Sequence, residues 1–220
     1  MLQIHGRKNS NQVIQLMWTV AELGLDHVRH NVGGSFGGLD TNEYANLNPN
    51  RLVPTIDDDG FVLWESYAII RYLCRRYGTG TLWPADVQQA ASADRWMEWT
   101  NSRFIGTFFP IFWGLIRTAK ADQDADKIAA SVRATGELLQ IVEQQLEGKQ
   151  FITGASLTMG DIPLGSMMYK YYTLDIERPV LPNIEAWYAR LCERPAYQSH
   201  AMNSFGTSSK EWLELEKAGA

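Results

Sequence analysis

The chain is organised around Asn50-Arg51-Leu52-Val53-Pro54-Thr55-Ile56, followed after four turn residues by Phe61-Val62-Leu63-Trp64-Glu65-Ser66-Tyr67-Ala68-Ile69-Ile70. We interpret it as a short strand that opens on a proline, a turn at residues 57–60, a second short strand and a helix that begins near Glu65 and Ser66. A proline at the first position of a strand has no N–H to give to a neighbouring strand. That edge of the backbone therefore faces something else.

Glu65 and Ser66 place an acid and a hydroxyl where a helix begins. The first N–H groups of a helix have no partner within it, and the positive end of the helix dipole lies there. Together with the free backbone edge before Pro54, this predicts a site for a small zwitterion. The main chain there would bind a peptide unit, Glu65 would bind an ammonium group, and Ser66 with the helix start would bind a carboxylate. The alternative for Glu65 is an exposed first-turn acid favoured by the helix dipole alone.

Hydrophobic periodicity divides the chain near residue 80. Residues 1–79 predict the order β-α-β-(short helix)-β-β-α, with strands at residues 2–6 and 27–32 and Thr41 as the cap of the short helix. Residues 78–86 have the composition of a linker. Beyond them only helical patterns are strong: residues 88–120 with a bend at Pro110, 124–147, 162–172, 182–191, and a short last helix after Arg194-Pro195. We predict an α/β domain over residues 1–79 and an all-α helical bundle over residues 87–220.

Composition narrows the function classes. A net charge of −5 over 220 residues does not suggest a nucleic-acid surface, and no apolar run is long enough to span a membrane. The first residues lack a signal peptide, so we expect a cytoplasmic protein. Cys74 and Cys192 are far apart and predict no disulfide framework, with Cys74 a buried, inert thiol. The four histidines show no metal-ligand spacing, so no metal is expected.

Thr158-Met159-Gly160-Asp161 places a hydroxyl and an acid three residues apart before an apolar helix. This is the spacing of a capping box, in which each of the two side chains accepts a hydrogen bond from the other residue's region of the backbone. The alternative is a catalytic acid at Asp161. The structural interpretation is preferred because the spacing alone explains it.

Together these residues resemble a known family. The run from Leu52 to Thr55 with the run from Trp64 to Leu73 resembles the thioredoxin-like N-terminal domain of cytosolic glutathione S-transferases, of a bacterial, theta-like, serine type. The box from Thr158 to Asp161 and the helical second half are similar to the C-terminal domain of the same family. The resemblance covers roughly residues 1–200 and is more specific for the fold than for a reaction.

The resemblance implies roles for the residues quoted first. Pro54 matches the family's cis-proline, which presents Val53 so that its main chain pairs with the cysteinyl unit of glutathione. Glu65 and Ser66 would hold the γ-glutamyl end.

At the glycyl end the chain departs from the family. Members often carry Lys or Arg immediately before the valine, where a cation meets the glycyl carboxylate, whereas this chain has Leu52 there and Arg51 one residue earlier. Either Arg51 reaches round, or that contact is lost or supplied elsewhere.

The catalytic position implied by the resemblance lies just after the first strand. Ser10 matches the hydroxyl of serine-type members, with Asn9 as its neighbour, and no cysteine in this loop could run dithiol exchange. A free thiol has a pKa of about 8.5, and lowering it by about two requires roughly 2.7 kcal/mol of preference for the thiolate. One charge-assisted hydrogen bond and a helix end supply about that much. The alternative for Ser10 is a helix N-cap, and both roles are compatible.

The second substrate would bind between the domains, in a pocket predicted from Phe36, Arg103, Thr107 and Trp113. Arg103 serves either an anionic substrate or an ion pair, while Phe104, Phe108 and Ile111 have the pattern of helical core. The resemblance implies a homodimeric transferase with glutathione as co-substrate, acting on small electrophiles in detoxification. A glutathione-dependent disulfide or peroxide reductase and a non-catalytic binding or dimerisation module remain the alternatives.

Overall fold

Four short strands form one mixed sheet at the start of the chain, which a computed structural model describes over residues 1–218. The strands lie in the order β2-β1-β3-β4, with β1 parallel to β2 and β3 antiparallel to both β1 and β4. The elements of this part are β1 (Leu2–His5), α1 (Asn11–Glu22), β2 (His27–His30), α2 (Asn42–Leu47), β3 (Thr55–Asp58), β4 (Phe61–Trp64) and α3 (Ser66–Tyr77). The predicted element order is confirmed.

The hairpin between β3 and β4 is tighter than predicted. Asp58 pairs with Phe61, so the turn is only Asp59 and Gly60, with φ of 53° and 94°. Positive φ at both central residues is typical of the turn whose twist matches paired strands, and Asp-Gly suits it. The strand begins at Thr55 rather than at Pro54, so the predicted strand start was one residue too early, and the predicted turn at residues 57–60 was two residues too long.

Helix α1 is buried on both sides, since every side chain from Val13 to Val20 is buried. Val13 and Leu16 pack in a core with the sheet, while Ile14 and Trp18 belong to a second core shared with the helical half of the chain. Because the helix lies between two apolar surfaces, it is apolar nearly all round.

The second half is entirely helical among the described residues. Its elements are α4 (Val87–Trp99), α5 (Ile105–Phe112), α6 (Ala125–Gln145), α7 (Ile162–Thr173), α8 (Pro182–Cys192), α9 (Pro195–His200) and α10 (Ser209–Ala218). Helices α4 and α5 run on through π-helical turns at Thr100–Phe104 and Trp113–Arg117, so helical structure continues past Pro110. The sequence interpretation missed α10. No helix in the part of the chain described is both long and apolar enough to cross a membrane.

The two halves meet along α1. The rings of Trp18 and Tyr197 contact edge to face at 4.8 Å, and the Tyr197 hydroxyl donates to the Gly165 carbonyl at 2.8 Å. Arg194 donates to both carboxylate oxygens of Glu22, at 2.7 and 2.5 Å. These contacts hold α1 against the helical half. The fold class, a thioredoxin-like α/β part followed by a helical part, is confirmed, while the boundaries 1–79 and 87–220 stay a prediction.

The box makes the side-chain contacts of a capping box in the turn before α7, whose own N-cap residue, Asp161, makes no side-chain capping bond. The Thr158 N–H donates to Asp161 Oδ2 at 2.9 Å, and the Gly160 N–H donates to Thr158 Oγ1 at 3.3 Å. Asp161 Oδ1 accepts from the Ile152 N–H at 2.8 Å and from Trp187 Nε1 at 3.0 Å. Burial raises the pKa of Asp161 to about 6, although the hydrogen bonds that Ile152, Thr158 and Trp187 donate to the carboxylate oppose the shift. The carboxylate ties three segments together.

Candidate active site

A cavity of about 350 Å³ lies between the two halves, where α1 and α3 begin. Its walls come from the first turn of α1, the segment before β3, the start of α3 and the end of α4, and include Gln12, Val53, Glu65, Ser66 and Asn101. The volume is at the lower end of the range for small-molecule sites. Residues 52–54 and 65–68 therefore form much of one wall.

Ser66, at the start of α3, is held by hydrogen bonds to two glutamines of α1. Ser66 is buried, its hydroxyl donates to Gln12 Oε1 at 2.8 Å, and it accepts from Gln15 Nε2 at 3.3 Å. Glu65 precedes it with φ of 71°, a backbone conformation that is uncommon for residues other than glycine, and its side chain is exposed. A carboxylate group of a ligand could meet the free N–H groups at this helix start.

The segment before β3 offers unused backbone groups. The Val53–Pro54 peptide bond is cis, as the resemblance implies. The Leu52 carbonyl oxygen accepts hydrogen bonds from the Tyr44 hydroxyl at 2.7 Å and from Asn48 Nδ2 at 3.0 Å. The N–H and C=O of Val53, in contrast, make no hydrogen bond within residues 1–218 and lie at the cavity wall. A peptide-like ligand could pair with both.

Two arginines differ in their placement from what the sequence suggested. Arg51 has φ of 54°, and its Nη1 lies 3.3 Å from the Leu39 carbonyl oxygen and 3.4 Å from that of Thr41, away from the cavity wall. Arg71, which was not a candidate, lines the cavity and forms an ion pair with Asp94 at 2.6 Å.

Ser10 stands at the N-cap of α1 and is only 8% exposed. Its hydroxyl makes no capping bond and has no other hydrogen-bond partner in the described chain, so it is available to a ligand. The Asn9 carboxamide is buried beside the carboxylate of Glu216, without a well-aligned hydrogen bond. The two predicted catalytic residues differ in their surroundings: the Asn9 carboxamide lies beside a carboxylate, whereas the Ser10 hydroxyl has no hydrogen-bond acceptor in the described chain.

Helix α10 packs against the loop that carries Phe36. Glu216 of this helix is buried, accepts from the Ser35 N–H at 2.9 Å and lies 2.9 Å from Arg7 Nε. Burial alone would raise the pKa of Glu216, but the Ser35 N–H, Arg7 and Asn9 outweigh it, so the pKa is below its ordinary value. The carboxylate is therefore ionised at neutral pH and joins the first loop to the end of the chain.

The structure does not gather the four residues predicted for the electrophile pocket into one cluster. Phe36 is half-buried on a segment that packs against α10. Arg103 is exposed, and the Thr107 hydroxyl donates within its own helix. Trp113 is 52% exposed, lies 4.8 Å under the Arg117 guanidinium, and lines a separate cavity of about 540 Å³.

Several residues near the cavity were missed because their role has no local sequence signal. The glutamines of α1, Gln12 and Gln15, are polar positions next to the apolar residues of that helix, and that contrast is the one sign that could have pointed to them. Phe104, Phe108 and Ile111 are core, as predicted. Cys74 is fully buried, and burial raises the pKa of its thiol to about 12, so the prediction of an inert thiol is confirmed. Within residues 1–218 no His, Cys, Asp and Glu side chains are grouped as metal ligands would be.

Comparisons with known proteins show the family. The family model of the glutathione S-transferase N-terminal domain matches residues 10–76, and that of the C-terminal domain matches residues 102–195. The glutathione S-transferase GstB of Escherichia coli (strain K12) is 32% identical over 204 residues, which cover 92% of this chain and 98% of the relative.

Solved structures extend the likeness. A theta class glutathione S-transferase from Xanthomonas axonopodis pv. citri with glutathione bound is 45% identical, with a TM-score of 0.88 and coverage of 93% of this chain and 99% of that one. The Bombyx mori glutathione transferase BmGSTD1, at 24% identity and a TM-score of 0.81 over 100% of this chain and 97% of that one, shares the fold. The resemblance inferred from the residues is confirmed. This chain belongs to the glutathione S-transferase family, whose enzymes use glutathione as co-substrate.

Proposed function

We propose that the cavity between the two halves binds glutathione and activates its thiol for attack on an electrophilic carbon of a small, partly apolar substrate. The observation that carries the proposal is one arrangement around a single cleft. The unpaired main chain of Val53 and the hydrogen-bonded hydroxyl of Ser66 line it, and Ser10, whose hydroxyl is uncommitted, precedes the wall residue Gln12 by two positions, in a chain of this family.

The binding part follows from the free groups. The N–H and C=O of Val53 pair antiparallel with the cysteinyl unit of glutathione, and cis Pro54 sets the direction of that segment. The N–H groups at the start of α3 and the Ser66 hydroxyl, once it turns from Gln12 Oε1, receive the γ-glutamyl carboxylate, and exposed Glu65 receives the ammonium.

The glycyl end of glutathione lies beside Leu52 and Arg51 in this proposal. Leu52 is 61% exposed and offers an apolar surface. Arg51 reaches the glycyl carboxylate only by leaving the carbonyl oxygens of Leu39 and Thr41. We therefore expect this end of the ligand to contribute less to affinity than the γ-glutamyl end.

The chemical part requires a thiolate at neutral pH. The Ser10 hydroxyl donates to the sulfur, and the N-terminal end of α1 adds a positive partial charge, while Asn9 supports the loop from beside Glu216. The thiol proton leaves to solvent. The sulfur then forms the new bond to carbon as the leaving group departs with its electron pair, so the protein's work is ion stabilisation and positioning.

The second substrate would enter from the side where the helical half meets the loop that carries Phe36. Phe36 and Trp113 supply partly exposed aromatic surface, and Thr107 and Arg103 lie further along the same helical run. In this proposal the protein acts as a homodimer in the cytoplasm, with a role in detoxification. Its free Cys74 and Cys192 are compatible with a reducing compartment, and sedimentation of the purified protein tests the dimer.

The test is Ser10→Ala, with Ser102→Ala as the matched control because Ser102 is exposed and its hydroxyl donates within its own helical turn. Ultraviolet absorbance of the thiolate of bound glutathione is titrated against pH. Ser10→Ala should raise the pKa of the bound thiol by about one or two, while the control leaves it unchanged. An unchanged titration in Ser10→Ala would move the role to Asn9 or to backbone N–H groups.

Two further results decide the reaction. Failure to bind glutathione at millimolar concentration, measured by calorimetry, removes both the transferase and any glutathione-dependent reductase. Turnover of a mixed disulfide without turnover of an aryl halide would replace carbon–sulfur bond formation by glutathione-dependent reduction.

A further inference from the structure

Helix α7 carries a lysine in the interior of the molecule. Lys170 is 4% exposed, and its ammonium lies 5.2 Å from the centre of the Phe112 ring. Its one hydrogen bond in the described chain goes to Asn11 Oδ1. No carboxylate within residues 1–218 lies within ion-pair distance of it. A buried ammonium without a counter-ion is costly, so its position calls for a physical reason.

Lys170 contacts the residue that follows Ser10, the proposed donor to the thiol. Asn11 is the first residue of α1, between Ser10, whose hydroxyl is uncommitted, and Gln12, which lines the cavity. The ammonium therefore reinforces the positive end of α1 from the side of the helical half. The chain separation of Asn11 and Lys170, 159 residues, explains why no sequence pattern connects them.

The hydrogen bond also orients a side chain. Lys170 is bound to the oxygen of the Asn11 carboxamide, so the two N–H donors of that group lie on its opposite edge. Those donors have no partner within the described residues, and Asn11 is only half-buried. They are consequently available to a group bound next to Ser10.

We propose that Lys170 is a positioning residue of the thiol site, which fixes the Asn11 carboxamide beside Ser10 and supplies positive charge that favours the thiolate of bound glutathione. This inference rests on the proposed function of the cavity. It assigns to the helical half a part in activating the thiol, in addition to binding the second substrate.

The electrostatics agree with this role. Burial lowers the pKa of Lys170 to about 7 and is the only cause, since no charged side chain of α1, α4, α5, α8 or α10 contributes to it within the described chain. An anion bound nearby would raise the pKa of the lysine, and the charged lysine would lower the pKa of the anion by the same free energy. Asn11 and Phe112, which contact the Lys170 ammonium, are uncharged. We therefore expect the bound thiolate to be the counter-ion of the lysine.

The experiment compares Lys170→Met and Lys170→Arg in the full chain, with Lys210→Met as control because that side chain is 85% exposed on α10. Thiolate absorbance of bound glutathione is titrated, and kcat and KM for glutathione are measured. Lys170→Met should raise the pKa of the bound thiol by about one and lower kcat at pH 7 several-fold, with KM for glutathione nearly unchanged. Lys170→Arg should restore most of the low pKa, and the control should change nothing.

A second variant separates this inference from a folding defect. Asn11→Ala keeps the lysine and removes the oriented donors, so it should raise the pKa of the bound thiol in the same direction. If Ser10→Ala shifts the titration but Lys170→Met and Asn11→Ala do not, the inference on Lys170 is wrong and the proposed function stands. If glutathione does not bind to the parent protein, the proposed function itself fails.

Discussion

Replacing Asp161 by alanine should cost about 3–5 kcal/mol of unfolding free energy without a direct effect on turnover. The carboxylate is fully buried and accepts from the N–H groups of Ile152 and Thr158 and from Trp187 Nε1, at 2.8, 2.9 and 3.0 Å. The Thr158 hydroxyl can turn to Thr153 Oγ1, 3.0 Å away, which leaves three buried donors without an acceptor. Each unpaired donor costs about 1–3 kcal/mol, and partial relaxation favours the lower half of the summed range.

The asparagine variant should be milder. Asp161→Asn retains an oxygen for Ile152 and Trp187 and loses only the acceptor of the Thr158 N–H, a cost of about 1–3 kcal/mol. It also changes the pH dependence. The pKa of Asp161 is raised to about 6 from 3.8 in the unfolded chain, so the folded state binds more protons between these pH values. Parent stability should therefore fall as pH rises through this window, by up to about 3 kcal/mol, and this fall should be absent in the variant.

Urea unfolding followed by circular dichroism at several pH values measures these differences. Turnover is assayed at a temperature at which each variant is folded, and Thr158→Ala, expected to cost about 1 kcal/mol, serves as the milder cap variant. The structural argument would be refuted if Asp161→Ala unfolded within about 1 kcal/mol of the parent. A variant with normal stability and lost turnover would instead make Asp161 a catalytic acid.

Three other substitutions test separate contacts. Gly165→Ala should destabilise the protein by about 1–3 kcal/mol, measured by urea unfolding, because the added methyl would meet the Trp18 ring at 3.0 Å. Ser66→Ala should raise KM for glutathione several-fold in steady-state kinetics with kcat nearly unchanged, because the contact acts equally on the ground and transition states. Thr41→Ala should cost about 1 kcal/mol in the same unfolding assay, since Thr41 Oγ1 caps α2 by accepting from the Tyr44 N–H at 3.2 Å; an unchanged stability would contradict the capping role.

Local chemistry explains most of what could be predicted. The αβ order of the first part follows from period-2 and period-3.6 patterns, because side chains alternate across a strand and recur every three or four residues along a helix. Thr41 and the Thr158–Asp161 box were identifiable as caps because a cap uses residues close in sequence. The Asp-Gly pair indicated a turn, but only strand pairing showed that the turn is two residues long.

The errors have a common cause, which is that the missing information was non-local. Helix α10 is short, and Trp212 and Glu216 are its only buried side chains, so its sequence pattern is weak. Its position is set by Glu216 meeting Arg7 and the Ser35 N–H, contacts that join the two ends of the chain. Arg51 was a plausible ligand group by sequence position, yet two nearby carbonyl oxygens hold its guanidinium.

The residues alone were enough to predict the family and the order of elements, and to propose the stretch from Val53 to Ser66 as the binding stretch. Backbone groups, a proline and a helix start act there within some fifteen residues. The placement of the groups near the proposed thiol site is visible only in the tertiary structure. That structure left the Ser10 hydroxyl uncommitted, took Arg51 away from the cavity and brought Lys170 to the start of α1. The physical reason is that a charge or donor acts through distance and burial, and both depend on how segments far apart in sequence pack together.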